Sequence, residues 1–77
     1  MIQISHLRKK CIGCNYCVEL APNRWKMNKK DGKSVLLESE NKKGFHIVEV
    51  NKIELNENLA AARSCPVKII QVKILNR

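Results

Sequence analysis

The residues best equipped for chemistry in this chain are its cysteines. Cys11-Ile12-Gly13-Cys14-Asn15-Tyr16-Cys17 sets three thiols three residues apart on one short stretch, and a distant fourth arrives as Cys65-Pro66. Thiolates are ligands for soft and borderline metals. Three on one loop can each take an iron of one cubane face, which leaves the last iron to the remote ligand, and iron-sulfur clusters of this type take four Cys thiolates. Gly13 can adopt backbone angles closed to other residues, so that amides can point at sulfur. Hydrogen bonds of that kind favour the more negative, reduced state. Zinc also takes four cysteines, but its structural sites usually draw on two separated Cys-x-x-Cys pairs. Disulfides are disfavoured by the crowding of Cys11, Cys14 and Cys17, and a redox dithiol would leave Cys17 and Cys65 unexplained.

The elements that must position these thiols can be read on either side of them. Ile2, Ile4 and Leu7, interleaved with Gln3, Ser5 and His6, predict a short first strand leading into the cysteine loop. Tyr16 to Ala21 suits one or two helical turns stopped at Pro22, which has no amide proton. Trp25 and Met27 then alternate with polar residues up to Lys29-Lys30-Asp31-Gly32, beyond which Val35 and Leu37 are expected on a return strand of a hairpin. Ser39 to Gly44 reads as polar loop, and Phe45, Ile47, Val48 and Val50 as a candidate strand within an extended excursion. A helix over Glu57 to Arg63, with Asn56 as its cap, ends just before Cys65, and Val67 to Leu75 is a β-branched closing strand. The two terminal strands, both apolar and both flanking the thiols, are expected to pair.

Seen against these residues, the chain resembles the bacterial-type ferredoxins, and in particular their single-cluster members. Two-cluster members carry Cys-x-x-Cys-x-x-Cys-x-x-x-Cys-Pro twice, the last Cys of each run serving the other cluster. Here Ala21-Pro22 follows the first three cysteines, and Leu55, Asn58 and Ala61 stand where three more would precede Cys65-Pro66. One site is complete and the other has lost every ligand. The resemblance covers the chain through Asp31-Gly32 and its final stretch, and is weakest from Glu38 to Leu55. It implies an α+β, ferredoxin-like βαββαβ fold in a single domain over residues 1–77, with a small antiparallel sheet, two short helices and one 4Fe-4S cluster on Cys11, Cys14, Cys17 and Cys65. It further implies a soluble one-electron carrier of low potential that serves redox enzymes and is not itself an enzyme. Three-iron clusters in this family follow loss of the middle cysteine, so Cys14 implies the four-iron form.

Around the thiols, Ile12 is expected to shield the cluster from water, and Tyr16 either to lie against it or to fill the small core. Val18, Ala61, Ile69 and Ile70 read as core, Trp25 as a strand residue covering it, and His6 and His46 as spare to a site that four cysteines complete.

Composition agrees with a metal-stapled domain. In 77 residues there are one Trp, one Tyr and one Phe, so the core is thin and a staple is needed. No apolar stretch of signal-peptide length opens the sequence and none is long enough to cross a bilayer, so a monomer in a reducing cytoplasm, without membrane insertion, is expected. The formal net charge is +8, from fifteen Lys and Arg against seven Asp and Glu. A bound cluster with its thiolates would leave this near ~+6. Members of the resembled family are commonly acidic, so the usual partner does not carry over; redox enzymes with acidic docking surfaces are expected instead. Nucleic acid is disfavoured, because the basic residues are spread along the chain and aromatics for base stacking are too few.

Overall fold

In the computed structural model, which describes residues 1–75, the chain runs through β1 (Ile2–Leu7), α1 (Tyr16–Leu20), β2 (Trp25–Met27), β3 (Ser34–Leu36), β4 (Glu40–Lys42), β5 (Phe45–Val50), α2 (Leu55–Ser64) and β6 (Ile70–Ile74). Single 3-10 turns at Arg8–Lys10 and Lys52–Glu54 lead out of β1 and into α2. The strands form a four-stranded antiparallel sheet in the order β4-β5-β1-β6 and a separate β2-β3 hairpin. The terminal strands pair as expected, with Ile4 opposite Val72 and His6 opposite Ile70. The α+β class stands, while the order along the chain contains one hairpin more than βαββαβ.

That extra hairpin lies in the stretch read as a polar loop and an excursion. Lys43 and Gly44 join β4 to β5 with positive φ at both positions (56° and 92°), the backbone of the tight turn whose twist suits paired strands. The Asn41 side chain accepts the Gly44 amide at 3.0 Å. Every residue of β4 is exposed, so no apolar alternation marks it in the sequence. β5 pairs with β1 along its whole length, Ile2 opposite Val50 and Leu7 opposite Phe45.

The core gathers Ile2 and Ile4 of β1, Trp25 of β2, Leu36 of β3, Val50 of β5, Ala61 of α2 and Ile70 of β6. Full burial of side chains this size is worth roughly 1.5–3 kcal/mol each, and only a few are available. With five residues α1 is too short to persist alone and is held by packing against α2. Trp25 is completely buried and donates from Nε1 to Asn58 Oδ1 at 2.9 Å, while Asn58 Nδ2 donates to the Glu54 carbonyl at 2.8 Å. Arg24 grips the same helix start, pairing in bidentate fashion with Glu54 at 2.9 and 3.0 Å and donating to the Leu37 carbonyl at 3.2 Å.

Three expected details differ. Asn56 is exposed inside α2; the capping side chain is Asn51, which accepts the Ile53 amide at 3.0 Å and begins the preceding 3-10 turn. β3 buries Ser34 and Leu36, because pairing Met27 with Ser34 and Trp25 with Leu36 places Val35 on the other face. Finally, β1 alternates through His6, which is fully buried, while Leu7 is only half-buried.

Candidate metal centre

All four cysteines line one pocket, together with His6 and Ser34, and Ile12, Val67, Ile69 and Ile70 supply apolar wall. Each thiol is free, Cys17 and Cys65 buried and Cys11 and Cys14 partly exposed. Local backbone sets their directions. Cys11 closes the 3-10 turn, its amide bonded to the Arg8 carbonyl at 3.0 Å. Positive φ at Gly13 (74°) and Asn15 (70°) folds the loop back before Cys17 enters α1. Cys65 caps the end of α2, accepting the Lys68 amide at 3.2 Å in a turn that returns the chain to β6.

The cysteine loop is braced by the β2-β3 hairpin. Gly13 passes so close that a side chain on it would strike the Gly32 carbonyl oxygen. Arg8 donates from Nε to the Ser34 carbonyl at 3.2 Å and pairs with Asp31 at 2.7 Å. The Lys33 amide, and after it Arg8, hold the Asp31 carboxyl below the usual carboxylate range, so that pair stays charged at neutral pH. Gly13→Ala is therefore expected to lower cluster incorporation several-fold. The left-handed backbone costs an ordinary residue about 1–2 kcal/mol before the collision is counted. Iron and acid-labile sulfide per chain after anaerobic reconstitution measure it, and full loading of the alanine variant would mean that the loop shifts freely.

Donors surround the thiols. The Ser34 amide and hydroxyl both lie 3.4 Å from Cys11 Sγ. Burial pushes the Cys11 thiol up, but the Ser34 hydroxyl, the Ser34 and Gly13 amides and the Lys33 charge outweigh it, and the thiol ends below its ordinary value. At Cys17 burial prevails over the Ser34 hydroxyl, and neighbouring Cys11 and Cys14 add to the rise. Amides and a hydroxyl directed at thiolates are the arrangement that stabilises accumulated negative charge. His6 sits behind Ser34, Nε2 3.4 Å from the hydroxyl oxygen, its ring edge-on to Trp25 at 4.9 Å. Burial, followed by the charges of His46 and Arg8, lowers its pKa to about 4.

Four soft donors on one pocket fit an iron-sulfur group. Structural zinc sites usually draw on two separated Cys-x-x-Cys pairs, whereas a cubane spreads four thiolates over separate irons, as three thiols on one loop and a remote fourth allow.

Residues 8–72 match the family model for the 4Fe-4S single cluster domain of Ferredoxin I. The chain belongs to this ferredoxin family. Its cofactor is a single 4Fe-4S cluster. Among solved structures, this ferredoxin is similar to wild-type ferredoxin 1 of Hydrogenobacter thermophilus and to a serine-to-alanine variant of it. Each is 20% identical with a TM-score of 0.74, covering 97% of this chain and 100% of the other. At that identity the likeness speaks for the fold. A search of curated proteins found no match. Membership points to an electron carrier in place of an enzyme.

Of the flanking residues, Ile12 does line the pocket but is 61% exposed, so its cover is that of a rim. Tyr16 takes neither expected place, lying 47% exposed and outside the pocket lining. Ala61 and Ile70 are buried, with Val18 and Ile69 packed against the core. His46 is half-buried opposite His6 and does not reach the pocket. Sequence reading missed Ser34 altogether and treated His6 as spare. The run Ile2, Ile4, His6 carried a signal for the histidine; Ser34 becomes visible only once the hairpin register is known.

Proposed function

We propose that this ferredoxin is a soluble, cytoplasmic, monomeric one-electron carrier of low potential in which Cys11, Cys14, Cys17 and Cys65 each bind one iron. The carrying observation is that these four free thiols, three from one loop and one from the end of α2, share one pocket. When bound, the cluster supplies the one-electron couple; the protein supplies position, hydrogen bonds and exclusion of water. Ile12 and Val67 stand on the pocket wall while 61% and 40% exposed, so they lie where a partner can approach. Residues 1–77 act as one domain.

Partner choice follows from charge. Lys9, Lys10, Lys29, Lys30, Lys42, Lys43, Lys68 and Lys73 are all exposed, whereas Asp31 and Glu54 are engaged by Arg8 and Arg24. Lys9 and Lys10 directly precede Cys11, and Lys68 closes the turn at Cys65. Redox enzymes presenting acidic faces are the partners this supports. Electron-delivery rates to such an enzyme are expected to fall about tenfold or more from low to high ionic strength. Rates indifferent to salt would remove the steering claim, and an anaerobic preparation lacking acid-labile sulfide would remove the carrier reading itself.

A further inference from the structure

His6 and Ser34 touch the pocket without being candidate ligands, and their geometry fixes a direction. Ser34 has one hydroxyl proton, and its oxygen lies 3.4 Å from both Cys11 Sγ and His6 Nε2. When the histidine is the donor of the pair, its nitrogen no longer competes for that proton, which is left to point at sulfur. His6 is fully buried, and its Nδ1 has no hydrogen-bond partner among the described residues. A buried N–H without an acceptor is rarer and more costly than an idle lone pair, so the single ring proton belongs on Nε2, facing Ser34. The Trp25 contact, with ring planes at 87°, holds the imidazole in that orientation.

We propose that His6 is a positioning residue: by donating from Nε2 to Ser34 Oγ it turns the serine proton toward the cysteine sulfurs beside it, Cys11 Sγ and Cys17 Sγ, and so raises the reduction potential of the cluster. The alternative tautomer would draw the serine proton to Nε2 and leave Cys11 with amides alone. A hydrogen bond to a ligating thiolate stabilises the reduced, more negative state, and bonds to cluster sulfurs are among the factors that set potential. This inference rests on the reading of Cys11 as an iron ligand.

The experiment is anaerobic voltammetry of the loaded protein and its variants, with iron and sulfide measured on each sample. Ser34→Ala is expected to shift the redox equilibrium about tenfold toward the oxidised form, which for a one-electron couple is about 59 mV. His6→Leu is expected to shift it in the same direction, and the double variant to match Ser34→Ala alone, because the histidine acts only through the hydroxyl. His6→Gln, which keeps a donor, should stay near the native potential. If His6→Leu fails to hold the cluster, His6→Phe replaces it, keeping a ring against Trp25 without a donor. An unchanged potential in loaded Ser34→Ala overturns the proposal, as does a fully additive double variant. Absence of iron and sulfide from the native protein strikes the ligand reading instead.

Discussion

Replacing Cys65 by alanine is expected to leave a colourless chain that takes up little or no iron and sulfide. Cys65 is the ligand candidate contributed by the far end of the sequence, held 6% exposed at the close of α2 and packed within the core. Its loss removes the bridge between the cysteine loop and the second half of the chain. A domain below roughly 70–80 residues seldom draws more than about 3–5 kcal/mol from its core, so a variant without its metal staple should lose its cooperative thermal transition. Far-UV circular dichroism of anaerobic samples reads that loss directly. Cys14→Ala contrasts with it. Cys14 is the middle cysteine of the loop, whose loss in this family accompanies three-iron clusters, so a 3Fe-4S form is the expected product. An intact four-iron signal from that variant by electron paramagnetic resonance would contradict the assignment of Cys14, and a brown, fully loaded Cys65→Ala protein that of Cys65.

Trp25→Ala should damage the protein nearly as severely from outside the ligand set. The indole is completely buried and edge-on to His6, and its N–H satisfies Asn58 Oδ1. Removing a buried aromatic side chain costs about 3–5 kcal/mol, comparable with everything a core of this size supplies. Stranding the Asn58 oxygen adds to it. Trp25→Phe keeps a six-membered ring in the core but removes the donor with the rest of the five-membered ring, for an expected loss of about 1–3 kcal/mol. Anaerobic melts of loaded protein, followed by visible absorbance at one fixed scan rate, rank the variants because cluster loss makes unfolding irreversible. Equal melting of Trp25→Phe and the native chain would mean that the Asn58 bond contributes nothing.

These effects run through different residues because cofactor and fold are linked by neighbours of the thiols. Asn58 stands where a second-cluster ligand would be expected from the resemblance, and it now anchors the tryptophan. Arg24 and Glu54 join the hairpin to the start of α2. Of the positions where second-cluster ligands would stand, Ala21, Asn58 and Ala61 are buried and Leu55 packs against the core.

By itself the sequence determined the cofactor class and the elements that carry it. The spacing of Cys11, Cys14 and Cys17 is a local property and Cys65-Pro66 a short signature, so these four stand out as ligand candidates without a structure, as do α1 ending before Pro22 and the pairing of two apolar terminal strands. What tertiary structure decided depends on register and on contacts distant in sequence. Whether Ser34 or Val35 faces the thiols is a one-residue choice made by the pairing of β3 with β2, and slipping a strand by one exchanges its faces. β4 is a strand because β5 offers it backbone partners, with no apolar face of its own to announce it. His6 reads as a polar residue, yet lies inside because Trp25 and Ser34 meet it there. Side-chain chemistry pointed to the candidate ligands, and long-range pairing chose the groups that surround them.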